Sequence, residues 1–248
     1  AGLRRRGRRS GDDRILIDGV REIERAVEAG VKLEQLLYCQ TLLEGDASAL
    51  CNQFSLGGGT MIEVSEPVFE KIRYGDRTGG LVAVAQRPDR QLSDLKLGDH
   101  PLLAVIERVG KPGNLGAILR SADGAGVDGV LVIEPEIDIY GPNVIRASVS
   151  TVFSIPVVEM TLDQAMEFIK KGGLQIVAAS PAGQTPYTQI DLRRPTAMVF
   201  GAEDQGLSGA WAGGGAIMAK VPMCGLADSL NVSTTAALFF YEALRQRG

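Results

Sequence analysis

Short apolar runs alternate with segments of helical periodicity along most of this chain. Residues 102–106 (LLAVI) are apolar at every position, which is typical of a strand buried on both faces of a parallel sheet. A helix is predicted soon after this run, over 114–126. Further strands are predicted over 129–133, 155–158, 174–179, 197–200 and 216–221, and further helices over 142–148, 162–171, 205–212 and 230–247. This alternation predicts a parallel α/β sheet with helices on both faces.

A smaller unit precedes this sheet. Its predicted strands are 15–17, 36–39, 61–64 and 81–85, and its predicted helices are 20–29, 47–54 and 67–73. Residues 87–98 are polar and lack periodic apolar positions, which is typical of a linker. We therefore predict a basic arm over 1–14, a small α/β domain over 15–97 and the parallel-sheet domain over 98–248.

The composition excludes several classes of protein. A hydrophobic share of 45% is too high for a disordered chain. No apolar run approaches the ~18 residues that a membrane span needs, and the arginine-rich start is not a secretory signal. Cys39, Cys51 and Cys224 are widely separated, which argues against disulfides and zinc and favours a cytoplasmic protein. Because His100 is the only histidine, most histidine-based catalysis and metal binding are excluded.

The charge distribution leaves room for a nucleic-acid partner. The net charge is −4, but residues 1–98 hold 15 basic and 15 acidic side chains, whereas residues 99–248 hold 11 and 15. Phosphate binding depends on local basic surface and not on the total charge. The arm, which we expect to be disordered in isolation, carries Arg4, Arg5, Arg6, Arg8 and Arg9, and further candidates for RNA contact are Arg73, Arg77, Arg87 and Arg90.

A glycine turn opens the helix after the first strand of the larger domain. Gly113 and Gly116 could let a ligand approach the backbone, and Glu134 ends the next strand, as the ribose-binding acid does in dinucleotide-binding folds. The GxGxxG spacing is absent, so helix capping and close packing explain the glycines at least as well. Neither interpretation explains Arg120, which lies in a mostly apolar helix.

Two later segments carry polar groups where strands end. Gly201 and Glu203 follow a buried strand, at the sheet edge where α/β folds bind ligands, although an acid there could also cap the next helix. Ser229 and Asn231 precede the last helix, where both residue types are ordinary caps. The loop before that helix could wrap a neutral or cationic ligand with its backbone.

Taken in this order, the three segments resemble the motifs of the SpoU/TrmH-type RNA 2′-O-ribose methyltransferases of the SPOUT superfamily. The matching residues are Asn114-Leu-Gly with Arg120-Ser-Ala, Phe200-Gly-Ala-Glu203 with Gly206-Leu, and Val221-Pro-Met with Ser229-Leu-Asn231-Val-Ser. The match covers nearly all of residues 102–248. Residues 15–19 and 68–84 are similar, more loosely, to the small substrate-binding domain of the family.

The resemblance implies a fold, a cofactor and a set of site residues. The implied fold is a small α/β substrate-binding domain followed by a parallel-sheet methyltransferase domain with a carboxyl-terminal trefoil knot. S-adenosylmethionine would bind to loops of the knot, RNA would be the substrate, and the protein would be a homodimer with active sites near the interface; no metal or membrane is implied. By motif, the cofactor-binding residues would be Ser180, Gly201, Val221 and Leu230, and the catalytic set would be Arg120, Asn114, Glu203, Ser229 and Asn231.

The chemistry leaves the role of Arg120 open. A ribose 2′-hydroxyl must share or lose its proton as its oxygen attacks, and the candidates are Glu203 and Arg120. A guanidinium with a pKa above ~12 is a poor base, so Arg120 either acts through a specific relay or binds an RNA phosphate and polarises the hydroxyl. Two residues depart from the family pattern: Lys111 replaces a frequent Asp before the proline, and Gly113 follows it.

The substrate is less constrained than the reaction. A dedicated amino-terminal domain favours large-subunit ribosomal RNA, including an antibiotic-resistance methylation, over transfer RNA. A non-catalytic RNA-binding relative is a further alternative. The distant alternative is an NAD-dependent oxidoreductase built on Gly113, Gly116 and Glu134.

Overall fold

A computed structural model describes residues 13–74, 79–202 and 205–248. The first sheet has four strands in the order β1–β4–β2–β3. Strand β4 pairs antiparallel with β1 and β2, and β2 pairs parallel with β3. The strands are β1 (Arg14–Asp18), β2 (Leu33–Tyr38), β3 (Thr60–Glu63) and β4 (Leu81–Gln86), and the helices between them are α1 (Val20–Glu28), α2 (Gly45–Leu56) and α3 (Glu66–Ile72). The smaller domain is therefore α/β, as predicted, with a mixed sheet.

The second sheet has seven strands, all parallel, in the order β7–β6–β5–β10–β8–β11–β9. Its strands are β5 (Leu102–Glu107), β6 (Gly129–Ile133), β7 (Val157–Met160), β8 (Gln175–Ala179), β9 (Thr185–Pro186), β10 (Thr196–Phe200) and β11 (Ile217–Lys220). Its helices are α4 (Pro112–Gly124), α5 (Pro142–Ala147), α6 (Thr151–Ser154), α7 (Leu162–Lys171), α8 (Gly209–Gly213) and α9 (Val232–Arg247). The predicted parallel α/β fold is confirmed. The trefoil knot stays a prediction.

Both faces of the second sheet are buried. Leu103 and Val105 of β5 belong to one apolar cluster, which includes Trp211, whereas Leu102 and Ile106 belong to the cluster on the other face. The continuous apolar run of β5 follows from this, since side chains alternate between the two faces of a strand and here both faces need apolar residues. The helices thus cover both faces, as the sequence predicted.

Some predicted boundaries were wrong. A strand was expected over 155–158, but α6 ends at Ser154 and β7 begins only at Val157. The short helix expected over 205–212 is limited to Gly209–Gly213. Arginine positions 4, 5, 6, 8, 9 and 77 lie outside the described residues. Among the residues that the structure describes, no helix is long and apolar enough to cross a membrane.

The two sheets meet at a junction that we call the domain junction, formed by Arg87, Asp138, Tyr140 and Glu159. Arg87, just after β4, forms ion pairs with Asp138 at 2.6 Å and Glu159 at 3.1 Å, and its guanidinium carbon lies 5.0 Å from the centroid of the Tyr140 ring. Burial raises the pKa of Tyr140 to about 12. Because Arg87 is bound by two carboxylates, its proposed contact with RNA phosphate is contradicted; Arg73 is likewise paired, with Glu70 at 2.7 Å.

Candidate active site

A cavity of about 370 Å³ opens at the carboxyl ends of β8, β10 and β11. Open parallel sheets bind ligands at this edge. The three strands are neighbours in the sheet, so the loops that leave them converge. The cavity is lined by Ala179, Ser180, Pro181, Phe200, Gly201, Ala202, Gly206, Leu207, Ala219, Val221, Met223, Asp228, Ser229, Leu230, Asn231, Val232 and Thr235.

One wall of the cavity depends on two glycines that touch through their backbones. A Cβ atom on Gly201 would lie 2.4 Å from the carbonyl carbon and oxygen of Gly206, a distance that real Cβ contacts do not reach. Gly206 has a φ of 65°, and its N–H donates to the carbonyl of Ala202 at 3.0 Å. The loop after β10 therefore folds back on itself, and only glycine at 201 permits that approach.

All four residues predicted to bind the cofactor lie in the wall of this cavity. They are Ser180, Gly201, Val221 and Leu230, which follow three different strands. The N–H of Ser180 donates to the carbonyl of Ala219 at 2.8 Å, which fixes the loop after β8 against β11. The structure thus brings the four positions together; their contact with a cofactor stays a prediction.

Asn231 joins the first and third motifs. Its Nδ2 donates to Oδ1 of Asn114 at 3.1 Å, across 117 residues of sequence. Its Oδ1 also accepts from the N–H of Ser233 at 2.9 Å, so that Asn231 is the N-cap of α9. The capping interpretation is therefore correct, and the same side chain also positions Asn114. Ser229 is exposed in the cavity wall, two residues earlier.

Arg120 lies outside the cavity wall, on the exposed side of α4. In the part of the chain that the structure describes, no side chain pairs with its guanidinium. It is six residues after Asn114, on the same helix. The remaining predicted catalytic residue, Glu203, lies outside the described residues. Its neighbour Ala202 lines the cavity.

The glycine turn of the first motif serves helix packing. A Cβ on Gly116 would lie 2.4 Å from Cβ of Ala147 in α5, so this glycine lets α4 and α5 pack closely. Gly113 is exposed and would accept a Cβ without any contact. Glu134 lines a separate depression with Pro135 and other residues, and its carboxylate lies 3.6 Å from Arg108. The geometry that a dinucleotide site would need is therefore absent from the described part of this segment.

Several cavity residues were missed by the sequence reasoning. Met223 and Asp228 lie in the loop before α9, and Leu207 and Thr235 complete the wall. The loop over 222–229 is exposed throughout, so no periodicity marked its inward-facing members. Asp228 was noticed only as the one charge near the helix start. Among the described residues, no group of three or more His, Cys, Asp or Glu side chains could hold a metal ion.

Comparison with known families identifies this architecture. The sequence profile of the SpoU rRNA methylase family matches residues 101–241, and that of the MRM3-like substrate binding domain matches residues 1–83. The chain belongs to the SpoU rRNA methylase family. Its predicted family and enzyme class, an RNA 2′-O-ribose methyltransferase, are thereby confirmed, and the oxidoreductase alternative is wrong.

Relatives of similar length match across both domains. The 23S rRNA (uridine(2479)-2′-O)-methyltransferase of Streptomyces viridochromogenes is 31% identical over 99% of this chain and 87% of the relative. A crystal structure of an RNA 2′-O ribose methyltransferase shares 41% identity over 96% of this chain and 91% of that chain, with a TM-score of 0.82. The SpoU methyltransferase AviRb from S. viridochromogenes, in complex with AdoMet, has a TM-score of 0.88 at 29% identity over 99% and 95% of the two chains.

Proposed function

We propose that this methyltransferase modifies a ribose 2′-hydroxyl of large-subunit ribosomal RNA, and that it acts as a cytoplasmic homodimer. The observation that carries the proposal is the cavity at the ends of β8, β10 and β11, because it unites the second and third motifs. The hydrogen bond between Asn231 and Asn114 adds the first motif to the same site. The match over both domains to a 23S rRNA methyltransferase supports ribosomal RNA as the substrate.

S-adenosylmethionine is the methyl donor, and the residues present fit it. The cavity offers backbone groups beside Gly201 and Leu230, an apolar lining, and the carboxylate of Asp228. A carboxylate suits a ligand that carries a sulfonium and an ammonium group. When bound, the donor supplies a methyl group that is already activated for displacement. The role of the protein is therefore mainly to hold the attacking hydroxyl in line.

Arg120 is proposed to bind an RNA phosphate and to polarise the target hydroxyl. Its guanidinium is exposed and is unpaired within the described residues, so it is available to an incoming anion. Arginine donates from a planar fork that matches phosphate geometry, and its high pKa makes it a poor proton acceptor. Asn114 and Asn231 would orient the ribose, since their amides are already held together at the cavity edge.

The proton of the attacking hydroxyl needs an acceptor. We assign it to the carboxylate of Glu203, the acidic residue that follows Ala202 in the cavity wall. In the transfer, the hydroxyl oxygen forms the new bond to the methyl carbon and its proton passes to the carboxylate. Ser229, exposed in the same wall, would donate a hydrogen bond to the ribose or to the cofactor.

A homodimer is supported by an apolar surface beside Arg120. Tyr241 and Leu244 of α9 are 51% and 42% exposed. The hydroxyl of Tyr241 lies 3.0 Å from the position of a Cβ on Gly124, one turn of α4 beyond Arg120. A partner that covered this surface would lie next to Arg120, as expected for active sites near a subunit interface.

The test is methyl transfer from labelled S-adenosylmethionine to unmodified ribosomal RNA or transfer RNA, followed by mapping of the methylated ribose. We expect label in the large-subunit RNA. Label in transfer RNA alone would overturn the substrate, and label in neither would favour a non-catalytic RNA-binding protein.

Arg120→Ala tests the phosphate role within the same assay. Because one preorganised charged donor is lost, we expect transfer to fall at least about a hundredfold, while calorimetry still detects S-adenosylmethionine binding. Turnover close to that of the unmodified protein would exclude both the clamp and the relay roles of Arg120.

A further inference from the structure

Glu107 is a buried carboxylate that the proposed mechanism does not use. It is the last residue of β5 and is only 1% exposed, after five apolar residues of the same strand. Burying a carboxylate costs free energy unless hydrogen bonds and opposite charges compensate. The groups that compensate it therefore show what this residue does in the fold.

Two donors from a single segment satisfy one oxygen of Glu107. Its Oε2 accepts from the backbone N–H of Ser208 at 3.0 Å and from Nε1 of Trp211 at 2.9 Å. Its Oε1 has no hydrogen-bond partner among the described residues, and Nη2 of Arg108 lies 3.8 Å from it. Glu107 thus joins β5 to the segment that follows β10, about 100 residues later in the chain.

That segment is the continuation of the cavity wall. Leu207, which lines the cavity, is the residue directly before Ser208. A Cβ on Gly201 would lie 2.7 Å from the N of Leu207, so this part of the wall has no room to move inward. Arg108 contributes a second, weaker link, since its Nη1 lies 3.5 Å from Oε1 of Gln205. A shift of Ser208 would therefore be transmitted to the cavity wall through Leu207.

We propose that Glu107 is a positioning residue for S-adenosylmethionine: it fixes the loop over 201–208 in the shape that binds the cofactor. This inference rests on the proposed function, because it assigns the cavity to that cofactor. Glu107 contacts neither the cavity nor the reacting atoms, so its effect is on cofactor affinity. The loss of transfer in a variant should accordingly be recovered by raising the cofactor concentration.

The experiment measures S-adenosylmethionine affinity by calorimetry for Glu107→Met, Glu107→Gln and Trp211→Phe. Methionine removes the acceptor and leaves two buried donors unpaired, so we expect affinity to fall about tenfold. Glutamine keeps one acceptor oxygen, and we expect most of the affinity to be retained. Trp211→Phe removes one of the two donors and should weaken binding by about threefold. In the double variant with Glu107→Met, the Trp211→Phe change should add little.

A second readout does not depend on activity. Trp211 is the only tryptophan of the chain, so its fluorescence reports on this contact alone. We expect Glu107→Met, but not Glu107→Gln, to shift the emission before any ligand is added. Glu22→Gln is the matched control, because Glu22 is another buried glutamate, 1% exposed, in the smaller domain.

Unchanged cofactor affinity in a folded Glu107→Met protein, or an equal loss in the Glu22→Gln control, would overturn the proposal. If Glu107→Met does not fold, Trp211→Phe decides in its place, and wild-type affinity in that variant contradicts the proposal. If the unmodified protein binds the cofactor but methylates no RNA, the proposed function fails while the role of Glu107 is still measured.

Discussion

The cofactor cavity and the domain junction are built from different kinds of groups. The cavity wall consists mainly of backbone and apolar atoms at the ends of buried strands, with the Gly201–Gly206 contact as its tightest point. The junction consists of charged side chains, with Arg87 between two carboxylates and a tyrosine ring. A wall of backbone atoms cannot adjust to an added atom, whereas each ion pair of the junction can be lost separately. Changes in the cavity should therefore abolish binding, and changes at charged surfaces should weaken it by degrees.

The largest effect is expected from Gly201→Ala. The added Cβ would lie 2.4 Å from the backbone of Gly206, so the loop after β10 must shift away from its position in the cavity wall. Overpacking of this kind costs about 1–3 kcal/mol, and we expect S-adenosylmethionine to bind about ten- to a hundredfold more weakly by calorimetry. RNA binding, measured separately by filter retention, should change little.

Gly209→Ala is the matched control for that variant. Gly209 begins α8, close in sequence to the same loop, and a Cβ there would meet no atom within 4 Å. The control should bind the cofactor with the affinity of the unmodified protein. Equal affinities in all three proteins would mean that the rigid backbone wall does not determine cofactor binding.

A smaller effect is expected when the five arginines of the arm are replaced by glutamine. We predicted that Arg4, Arg5, Arg6, Arg8 and Arg9 contact RNA phosphates, and this stays a prediction. Each lost contact should lower the slope of log affinity against log salt by about 0.7 for single-stranded RNA, so the slope should decrease by up to about 3.5. RNA affinity measured over a series of salt concentrations gives this slope. A slope that does not change would assign RNA binding to other surfaces, and cofactor affinity should be the same in both proteins.

The same contrast explains what the sequence could predict. The parallel sheet followed from continuous apolar runs such as that of β5, because strands buried on both faces leave a signal at every position. The cavity positions of Gly201, Val221 and Leu230 were predicted only because their motifs resemble a known family. The junction was missed, since Arg87 lies 51 residues from Asp138 and 72 from Glu159 and no local pattern connects them. Glu107 left one signal, a single carboxylate at the end of an otherwise apolar strand.

The smallest effect is expected from Arg87→Met, which keeps the length of the side chain and removes its charge. Both ion pairs would be lost, with about 25% of each side chain exposed, so the smaller domain would be held less firmly against the methyltransferase domain. Couplings of this kind are worth about 0.5–2 kcal/mol, and we expect the KM for RNA to rise about two- to thirtyfold. The KM for S-adenosylmethionine should not change, because the cavity contains no junction residue. Lys170→Met, an exposed charge removed from α7, is the control. A rise in the cofactor KM with Arg87→Met would show that the junction and the cavity form one cooperative unit, and the distinction between a rigid wall and a graded junction would then be wrong.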